Sequence, residues 1–300
     1  MQEVTQLTPE LIESGEWRKV IIKEYNVRIP GPVIYPGRIH PLREIIEEVR
    51  KIFVSMGFKE IYSPYVESAF WNFDALFQPQ DHPARELHDT FYLRTPKIAK
   101  LPDKTWVENV RKTHEQGGET GSTGWHYKWD ENTAKKTILR THTTATTVRY
   151  LAQHPKPPQK VFTVSRVFRA EKVDYTHLAD FHQVDGIIIS HDANLSTLFG
   201  LLKEFFARMG FKEIQLRRGY FPYTEPSVEV FVKFNNEWLE MAGAGIFRPE
   251  VTYPFGCKTR VLAWGMGLER LAMLRLGLTD IRKIYDVDID WLRNLKLLTL

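Results

Sequence analysis

An arginine and a glutamate two residues apart could bind a phosphorylated ligand. The segment Val167-Phe168-Arg169-Ala170-Glu171 ends a run rich in β-branched and aromatic residues, which predicts a strand. The spacing of two puts Arg169 and Glu171 on one face of that strand. A guanidinium in this position can bind a phosphate, and the carboxylate can bind an adenine amino group. An exposed ion pair is the alternative, and it is the commoner outcome for such a pair taken alone.

A second candidate for phosphate binding is Arg270. The segment Ala263-Trp264-Gly265-Met266-Gly267-Leu268-Glu269-Arg270 predicts a strand that passes through two glycines into a helix. Glycine lets a ligand approach the backbone closely, and the N-terminus of a helix favours anions. An arginine in the first helical turn therefore points to an anionic ligand, with a plain surface arginine as the alternative.

The elements that must position these residues follow from hydrophobic periodicity. Apolar residues at steps of three and four predict helices over 41–56, 195–209 and about 267–276. Runs of β-branched and aromatic residues predict strands over 61–68, 161–171, 181–190, 212–216, 228–234, 238–242 and 261–264. The short stretch between 171 and 181 favours an antiparallel pair. The pattern predicts an α+β fold with a mainly antiparallel sheet flanked by helices.

Composition shifts divide the chain. Residues 1–36 are predicted to be an N-terminal connector segment, because Pro30-Gly31-Pro32 and Tyr35-Pro36-Gly37 break regular structure. Residues 37–300 are predicted to form one domain. Within it, the polar segment 95–136 holds a glycine-rich stretch over 116–124 and is predicted to be an exposed insertion.

Composition excludes several classes of protein. Cys257 is the only cysteine, which excludes an intrachain disulfide and a cysteine-rich zinc site. No apolar run reaches the roughly 20 residues of a membrane span, and the N-terminus lacks a secretory signal, so the cytosol is the expected location. The 41 basic and 37 acidic residues give a net charge of +4, far from a dedicated nucleic-acid module. Neither a Walker P-loop nor a strand–GxGxxG–helix unit occurs.

Longer matches add a family resemblance. Residues 57–66 after the first helix resemble motif 1 of class II aminoacyl-tRNA synthetases, and the Arg169 and Arg270 segments resemble motifs 2 and 3, in the family's order. The chain from about Tyr35 to Arg293 resembles phenylalanyl-tRNA synthetase α-subunits of the archaeal and eukaryotic type. The strings that carry this resemblance are Phe70-Trp-Asn-Phe-Asp-Ala-Leu76, His82-Pro-Ala-Arg85, His88-Asp-Thr-Phe91, Arg140-Thr-His-Thr143, Asp174-Tyr-Thr-His177, Phe181-His-Gln183, Thr224-Glu-Pro-Ser227 and Gly243-Ala-Gly245.

The resemblance implies the class II fold and roles in ATP binding. By resemblance, Arg169 holds the α-phosphate, Glu171 binds the adenine amino group and Phe181 stacks on adenine. His177 adds a phosphate contact, and Arg270 meets the γ-phosphate. Magnesium accompanies ATP in this class, and Glu240 matches a carboxylate that approaches it; a structural carboxylate is the alternative for Glu240.

The resemblance also implies a phenylalanine site. Its polar end would be formed by His142, Thr144, Gln183 and Asp185, and its ring slot by Phe221, Tyr223 and Ala263. Asp185 stands where the family commonly has Glu, which shortens the reach to the substrate ammonium. Tyr223 stands where bacterial relatives have Phe, and its hydroxyl changes the polarity of the slot. Plain core aromatics remain the alternative for Phe221 and Tyr223.

The implied partners are L-phenylalanine, tRNA(Phe) and a β-subunit in an αβ heterotetramer. Related α-subunits usually carry a further N-terminal nucleic-acid-binding region, so we expect either a shortened chain or a minimal natural form. Alone, the chain is expected to pair through motif 1 into a homodimer. Two other functions stay open: a class II relative with altered amino-acid specificity, and a catalytically silent, synthetase-like interaction protein.

Overall fold

The computed structural model of the protein describes residues 3–24, 26, 28, 29, 31, 37–86, 88–285 and 288–295. The chain divides into two compact units, residues 1–38 and 39–300, and each is described by itself. Of the predicted connector, residues 1, 2, 25, 27, 30 and 32–36 lie outside the described residues.

The described part of the first unit contains a small parallel strand pair, a short α-helix and a 3₁₀ turn over Glu16–Lys19. Strand β1 (Glu3–Val4) pairs with β2 (Ile21–Ile22), and helix α1 (Pro9–Glu13) lies between them in the chain. The helix begins after Thr8, whose hydroxyl accepts a hydrogen bond from the backbone N–H of Leu11, and proline occupies the first helical position. Both features are typical signals for a helix start.

The second unit holds the remaining elements. Its helices are α2 (Pro41–Ser55), α3 (Ala69–Asn72), α4 (Lys104–Gln116), α5 (Glu131–Ala134), α6 (Thr144–Gln153), α7 (Leu195–Arg208), α8 (Pro249–Thr252), α9 (Leu268–Leu276) and α10 (Ile289–Asn294). Its strands are β3 (Lys59–Glu60), β4 (Val66–Ser68), β5 (Thr137–Leu139), β6 (Gln159–Phe168), β7 (Asp180–Ile189), β8 (Ile214–Phe221), β9 (Thr224–Phe234), β10 (Glu237–Phe247) and β11 (Val261–Gly267). Across the described part of the chain, no helix is both long and apolar enough to span a bilayer.

The main sheet has the strand order β3-β6-β7-β11-β10-β9-β8. Only β3 and β6 pair in parallel, and the other neighbours are antiparallel. The prediction of an α+β fold with a mainly antiparallel sheet is confirmed, as is the antiparallel pairing of β6 with β7. Strands β4 and β5 form a separate two-stranded sheet.

The central strands of the sheet, β7 and β11, are packed on both faces, and alternate residues of each strand face opposite sides. On one face, Val184, Ile188 and Leu262 pack against apolar residues of α2, α7 and α9. On the other face, Ile187 and Ile189 belong to a cluster that includes residues of α3, α4 and α6. The two faces thus carry separate cores. The functional residues described below lie on the face that α6 covers.

Trp264 fixes the packing of the α2 face. Its ring is almost fully buried and stacks on Phe53 at 5.8 Å between ring centroids, with an edge contact to Phe58 at 5.4 Å. Directly opposite on β7 lies Gly186, where an added Cβ would stand 2.3 Å from Trp264 Cζ2. The indole therefore occupies the space that any other residue at 186 would need.

The predicted strand over 61–68 is wrong over most of its length. The chain leaves the main sheet after Glu60 and joins the small sheet only at Val66. Pro64 lies between these points and has no N–H to donate to a sheet ladder. The predicted helices over 41–56, 195–209 and 267–276 are confirmed, within one residue at each end.

The segment 95–136 is only partly exposed, so its prediction as an exposed insertion needs correction. It contains α4, and its buried side chains include Val110, His114 and Trp129. Buried Asp74 anchors the segment, because one carboxylate oxygen accepts from Trp129 Nε1 at 2.7 Å and the other from Arg85 Nη1 at 3.1 Å. His114 Nε2 lies 2.8 Å from the Asp74 carbonyl oxygen. This network could not be read from a polar composition.

We predict that Gly186→Ala lowers the free energy of unfolding by about 1–3 kcal/mol, because the Trp264 ring must move out of its packed position. Gly200→Ala is the matched control. Gly200 lies inside α7 with no atom within 4 Å of an added Cβ, so alanine there should stabilise the protein by about 0.5–1 kcal/mol. Urea denaturation measures the free energy of unfolding of both variants. Equal changes in Gly186→Ala and Gly200→Ala would contradict the packing of Trp264 described here.

Candidate active site

A cavity of about 470 Å³ opens on the α6 face of the main sheet. The structure brings all thirteen residues predicted from the sequence to its wall. These are His142, Thr144, Arg169, Glu171, His177, Phe181, Gln183, Asp185, Phe221, Tyr223, Glu240, Ala263 and Arg270.

Arg169, Glu171 and Phe181 lie together at one end of the cavity. Strand β6 ends at Phe168, so the prediction that Arg169 and Glu171 lie on one face of the strand is wrong: both residues lie just beyond its end. The Arg169 guanidinium lies over the Phe181 ring, 5.2 Å from its centroid, and Nη1 is 3.7 Å from Glu171 Oε1. Arg169 Nε donates to the backbone oxygen of Thr141 at 3.2 Å. The cation is therefore held in place while both charged groups stay partly exposed.

The loop between β6 and β7 carries His177. Asp174 accepts hydrogen bonds from the backbone N–H of Thr176 at 2.7 Å and of His177 at 2.8 Å, and these bonds hold the pKa of Asp174 well below its ordinary value. His177 Nδ1 lies 3.0 Å from the same carboxylate. The imidazole is half exposed and lines the cavity.

Arg270 lies in the first turn of α9, directly after Gly265 and Gly267. Its Nη1 donates to the backbone oxygen of Glu240 at 3.1 Å, which ties β10 to the helix start. The Glu240 side chain is exposed at the cavity. The Arg270 guanidinium and the Glu240 carboxylate thus lie at the end of the cavity that is bordered by β10 and α9.

Asp185 forms the polar floor of the cavity. The residue is 4% exposed, and its carboxylate accepts from Thr144 Oγ1 at 2.7 Å and from Thr147 Oγ1 at 2.8 Å. Two residues earlier on the same strand face, Gln183 Oε1 accepts from the backbone N–H of Thr143 at 3.2 Å. Helix α6 therefore begins against the polar side chains of β7.

Burial sets the electrostatics of this floor. It raises the pKa of the Asp185 carboxyl to about 7, and the threonine hydroxyls and Arg140 oppose the shift. Burial also lowers the pKa of the His142 imidazole to about 3, with the nearby Arg169 charge acting in the same direction. Both ring nitrogens of His142 are buried without a hydrogen-bond partner in the parts of the chain that the structure describes. A ligand with donors or acceptors would satisfy these groups.

The opposite wall is aromatic. Phe221 and Tyr223 lie near-parallel, with 6.0 Å between ring centroids, and Tyr223 meets Phe247 edge-on at 6.4 Å. Gly243 lies beneath Phe221, where an added Cβ would stand 2.5 Å from Cζ. Burial raises the pKa of the Tyr223 hydroxyl to about 12, so it stays neutral at physiological pH. Together with the small Ala263, these residues form a slot suited to a flat apolar group.

Comparison with known proteins identifies the family. Residues 24–295 match the family model described as tRNA synthetases class II core domain (F). The chain belongs to this family. A solved pyrrolysyl-tRNA synthetase from Desulfitobacterium hafniense has the same fold, with a TM-score of 0.56 over 81% of this chain and 72% of that one, at 18% identity.

Curated relatives give a finer likeness. The phenylalanine–tRNA ligase alpha subunit of Methanopyrus kandleri is 53% identical over 296 residues, which is 97% of this chain and 56% of that protein. The alpha subunit of Archaeoglobus fulgidus is 53% identical over 293 residues, or 97% and 61%. The alpha subunit of Methanothermobacter thermautotrophicus is 50% identical over 297 residues, or 98% and 58%. The chain therefore spans well under two thirds of these relatives' length.

Two residues of this class II core were missed in the sequence. Thr147 binds Asp185, and its signal was the spacing of three from Thr144 within a threonine-rich helix start. Glu269 is 1% exposed and lines the cavity beside Arg270; it accepts from the His182 backbone N–H at 2.8 Å and lies 2.7 Å from His182 Nδ1. The sequence shows an acidic residue next to the motif 3 arginine. It does not show that this side chain contacts β7, because that contact depends on tertiary packing.

The carboxylate predicted to approach a magnesium ion is Glu240. Within the described ranges, no three His, Cys, Asp or Glu side chains lie close enough together to form a preformed metal site. Glu240 is a single exposed carboxylate at the cavity. Mg²⁺ keeps several waters and is commonly held by one or two carboxylates together with substrate phosphates. Glu240 therefore fits a magnesium that arrives with a nucleotide rather than a resident one.

We predict that Asp185 makes the stability of the protein depend on pH. Because the folded carboxyl has a pKa of about 7, the folded chain holds a proton there that the unfolded chain loses near pH 4. The contribution of this proton to the free energy of unfolding is fully present below about pH 4 and is lost as the pH rises to about 7. Asn does not titrate, so the unfolding free energy of Asp185→Asn relative to wild type should rise with pH, with a slope approaching about 1.4 kcal/mol per unit.

Urea denaturation at several pH values between about 5 and 8 measures this slope. Asp192→Asn is the control, because Asp192 is exposed and its carboxylate makes no hydrogen bond within the described residues. If the difference in unfolding free energy between Asp185→Asn and wild type stays constant with pH, the buried carboxyl does not have the raised pKa described here.

Proposed function

We propose that this chain activates L-phenylalanine with ATP and transfers it to tRNA(Phe), as the catalytic core of a phenylalanine–tRNA ligase. The observation that carries the proposal is a single cavity with two chemically different ends, one with arginines and one with an aromatic slot beside a buried carboxylate. The curated relatives support the choice of phenylalanine, since three of them carry that name at 50–53% identity.

ATP is proposed to bind at the arginine end. In this role Arg169 meets the α-phosphate, Arg270 the γ-phosphate, and His177 a further phosphate oxygen. Phe181 stacks on adenine and Glu171 accepts from its amino group. The 3.1 Å hydrogen bond from Arg270 to the Glu240 backbone supports this arrangement, because it fixes the guanidinium before the nucleotide arrives.

Magnesium is proposed to accompany the nucleotide, with Glu240 as the protein ligand. When bound, the ion would neutralise charge on the phosphates. Because Arg270 is hydrogen-bonded to the Glu240 backbone oxygen, the guanidinium and an ion held by the Glu240 carboxylate would both bring positive charge to the same phosphate chain.

Phenylalanine is proposed to bind with its ammonium at the polar floor and its ring in the aromatic slot. Asp185 and Gln183 accept from the ammonium, while Phe221, Tyr223 and Ala263 enclose the ring. The short Asp185 side chain is held toward the cavity by two threonines, which supports a direct contact despite the missing methylene. A bound ammonium would also favour the charged form of the carboxylate.

The reaction needs positioning rather than a covalent nucleophile on the protein. A carboxylate oxygen of phenylalanine attacks the α-phosphorus, the bond to the bridging oxygen of the β-phosphate breaks, and pyrophosphate leaves. A terminal ribose hydroxyl of the tRNA then attacks the carbonyl carbon, and AMP departs. Arg169, fixed against Thr141, stabilises the negative charge that develops at the α-phosphate.

The complete enzyme is proposed to be an αβ heterotetramer that works in the cytoplasm. The relatives are named as alpha subunits, which supports a partner β-subunit. The β-subunit would supply much of the tRNA contact. Pairing of two copies of this chain through motif 1 is the proposed arrangement when no β-subunit is present.

We predict phenylalanine-dependent exchange of labelled pyrophosphate into ATP. Arg270→Ala should lower the exchange rate on the order of 100-fold or more, because a preorganised cation is lost from the phosphate site. Arg208→Ala is the matched control: Arg208 is an exposed arginine on α7 that pairs with Glu204, outside the cavity, and its loss should leave the rate unchanged.

Tyrosine and the other amino acids are measured in parallel. Exchange with another amino acid in place of phenylalanine would replace the proposed substrate. Absence of exchange both by the chain alone and by the chain assembled with a β-subunit would contradict the proposed activity.

A further inference from the structure

The carboxylate of Asp185 is held by hydroxyls from two successive turns of one helix. Thr144 Oγ1 donates to Oδ2 at 2.7 Å and Thr147 Oγ1 donates to Oδ1 at 2.8 Å, so each carboxylate oxygen has its own donor. Residues three apart on a helix lie on one face, which brings both hydroxyls to the same group. Two donors on different oxygens fix the rotation of a carboxylate, whereas one leaves it free to turn.

The two threonines differ in their relation to the cavity. Thr144 lines it, whereas Thr147 is fully buried and is absent from its wall. Thr147 Oγ1 also lies 3.1 Å from the Thr144 backbone oxygen, and its single proton can serve only one of these acceptors fully. The Asp185 oxygen is the nearer acceptor at 2.8 Å, so the hydroxyl donates mainly to the carboxylate, and it does so from a position outside the cavity wall.

The strands beside Asp185 leave the carboxylate open toward the cavity. Its neighbour on β11 is Gly265, where an added Cβ would stand 3.1 Å from Oδ2, so no side chain from β11 covers that oxygen. Its neighbour on β6 is Thr163, which is fully buried and whose hydroxyl makes no hydrogen bond to any described residue. Of the three threonines around Asp185, only Thr144 and Thr147 bind it.

We propose that Thr147 is a positioning residue for amino-acid binding: together with Thr144 it holds the Asp185 carboxylate in the orientation that receives the substrate ammonium. This inference rests on the proposed function and adds to it a residue that does not touch the substrate. The charged and titratable groups facing this region are Arg140 and His142 before α6, Arg169 after β6 and Tyr223 in the β8–β9 hairpin. None of these donates to the Asp185 oxygens, so among the described residues the hydrogen bonds that orient the carboxylate come from the two threonines.

Removal of the Thr147 hydroxyl has two physical consequences. The carboxylate loses the donor to Oδ1 and gains freedom to rotate. The charged form also loses a hydrogen bond that favours it, so the pKa of Asp185 rises further. Both effects weaken the hold on an ammonium, and neither touches the phosphate end of the cavity.

The test compares three variants of the chain, assembled with a β-subunit where exchange requires it. Thr147→Val keeps the shape and removes the hydroxyl, Thr147→Ser keeps the hydroxyl, and Thr163→Val makes the same change beside the same carboxylate without removing a hydrogen bond. Pyrophosphate exchange gives KM for phenylalanine and for ATP, measured across about pH 6 to 9.

Thr147→Val is expected to raise KM for phenylalanine about tenfold, the size of one hydrogen bond to a charged group, with KM for ATP unchanged. The rise of phenylalanine affinity with pH should move to higher pH, because the carboxylate ionises later. Thr147→Ser should restore both values, and Thr163→Val should match wild type. A merely structural role for Thr147 would change kcat or stability without this separation.

A second measurement reads the geometry without activity. In the ligand-free chain labelled with ¹³C at aspartate, the titration midpoint of the Asp185 carboxyl is expected to rise in Thr147→Val and to stay at the wild-type value in Thr163→Val. Equal midpoints in all three proteins would overturn the inference.

The two proposals fail in different ways. A wild-type enzyme that shows no affinity for phenylalanine, with or without the β-subunit, overturns the proposed function. A wild type that binds phenylalanine, together with a Thr147→Val variant that keeps its KM and its pH profile, overturns the role of Thr147 alone.

Discussion

The cavity exists because the two central strands carry almost no side chains on the face that borders it. Gly243 on β10 lies directly opposite Gly265 on β11, and Gly245 lies opposite Ala263. A sheet that is packed on both faces has no room for a ligand unless such a bare patch is built into it. The same constraint explains why the residues around the patch are rigidly placed: Phe221 lies on Gly243, and Asp185 faces Gly265. The opposite face compensates with the buried Trp264, so the strands stay fixed by packing from one side while the other side stays open.

Burial of charge is the second constraint, and it works against stability. The Asp185 carboxyl and the Arg140 guanidinium are both shielded from water. Within the described residues, Arg140 donates to neutral oxygens, including those of Ser63 and Thr146. Such groups cost free energy in the folded state unless hydrogen bonds satisfy them. The hydroxyls of α6 and of neighbouring strands provide those bonds. The proposed ammonium site keeps an acidic group dry, and the raised pKa of that group makes the folded chain less stable at neutral pH.

The sequence predicted the strands and helices with strong periodicity and the side chains of the cavity, because both depend on local pattern and on family resemblance. It did not predict α6, whose first turns are rich in threonine, a poor helix former. That helix depends on contacts with β7, which no local pattern reveals. The same limit applies to α4 and the network around Asp74, where a polar segment is buried through hydrogen bonds to distant residues. The structure brings the thirteen residues to one cavity, and their chemical roles are proposed from that geometry together with the family resemblance.

The most direct test of the account is a crystal structure of the chain with a non-hydrolysable phenylalanyl-adenylate analogue, in which a sulfamoyl group replaces the phosphate. We expect the phenyl ring between the Phe221 wall and Ala263, the ammonium at about 3 Å from an Asp185 oxygen, and adenine against Phe181. An analogue bound outside this cavity, or bound with its ring and adenine exchanged, would contradict the assignment of the two ends. That result would leave the class II fold intact and remove the proposed chemistry from these residues.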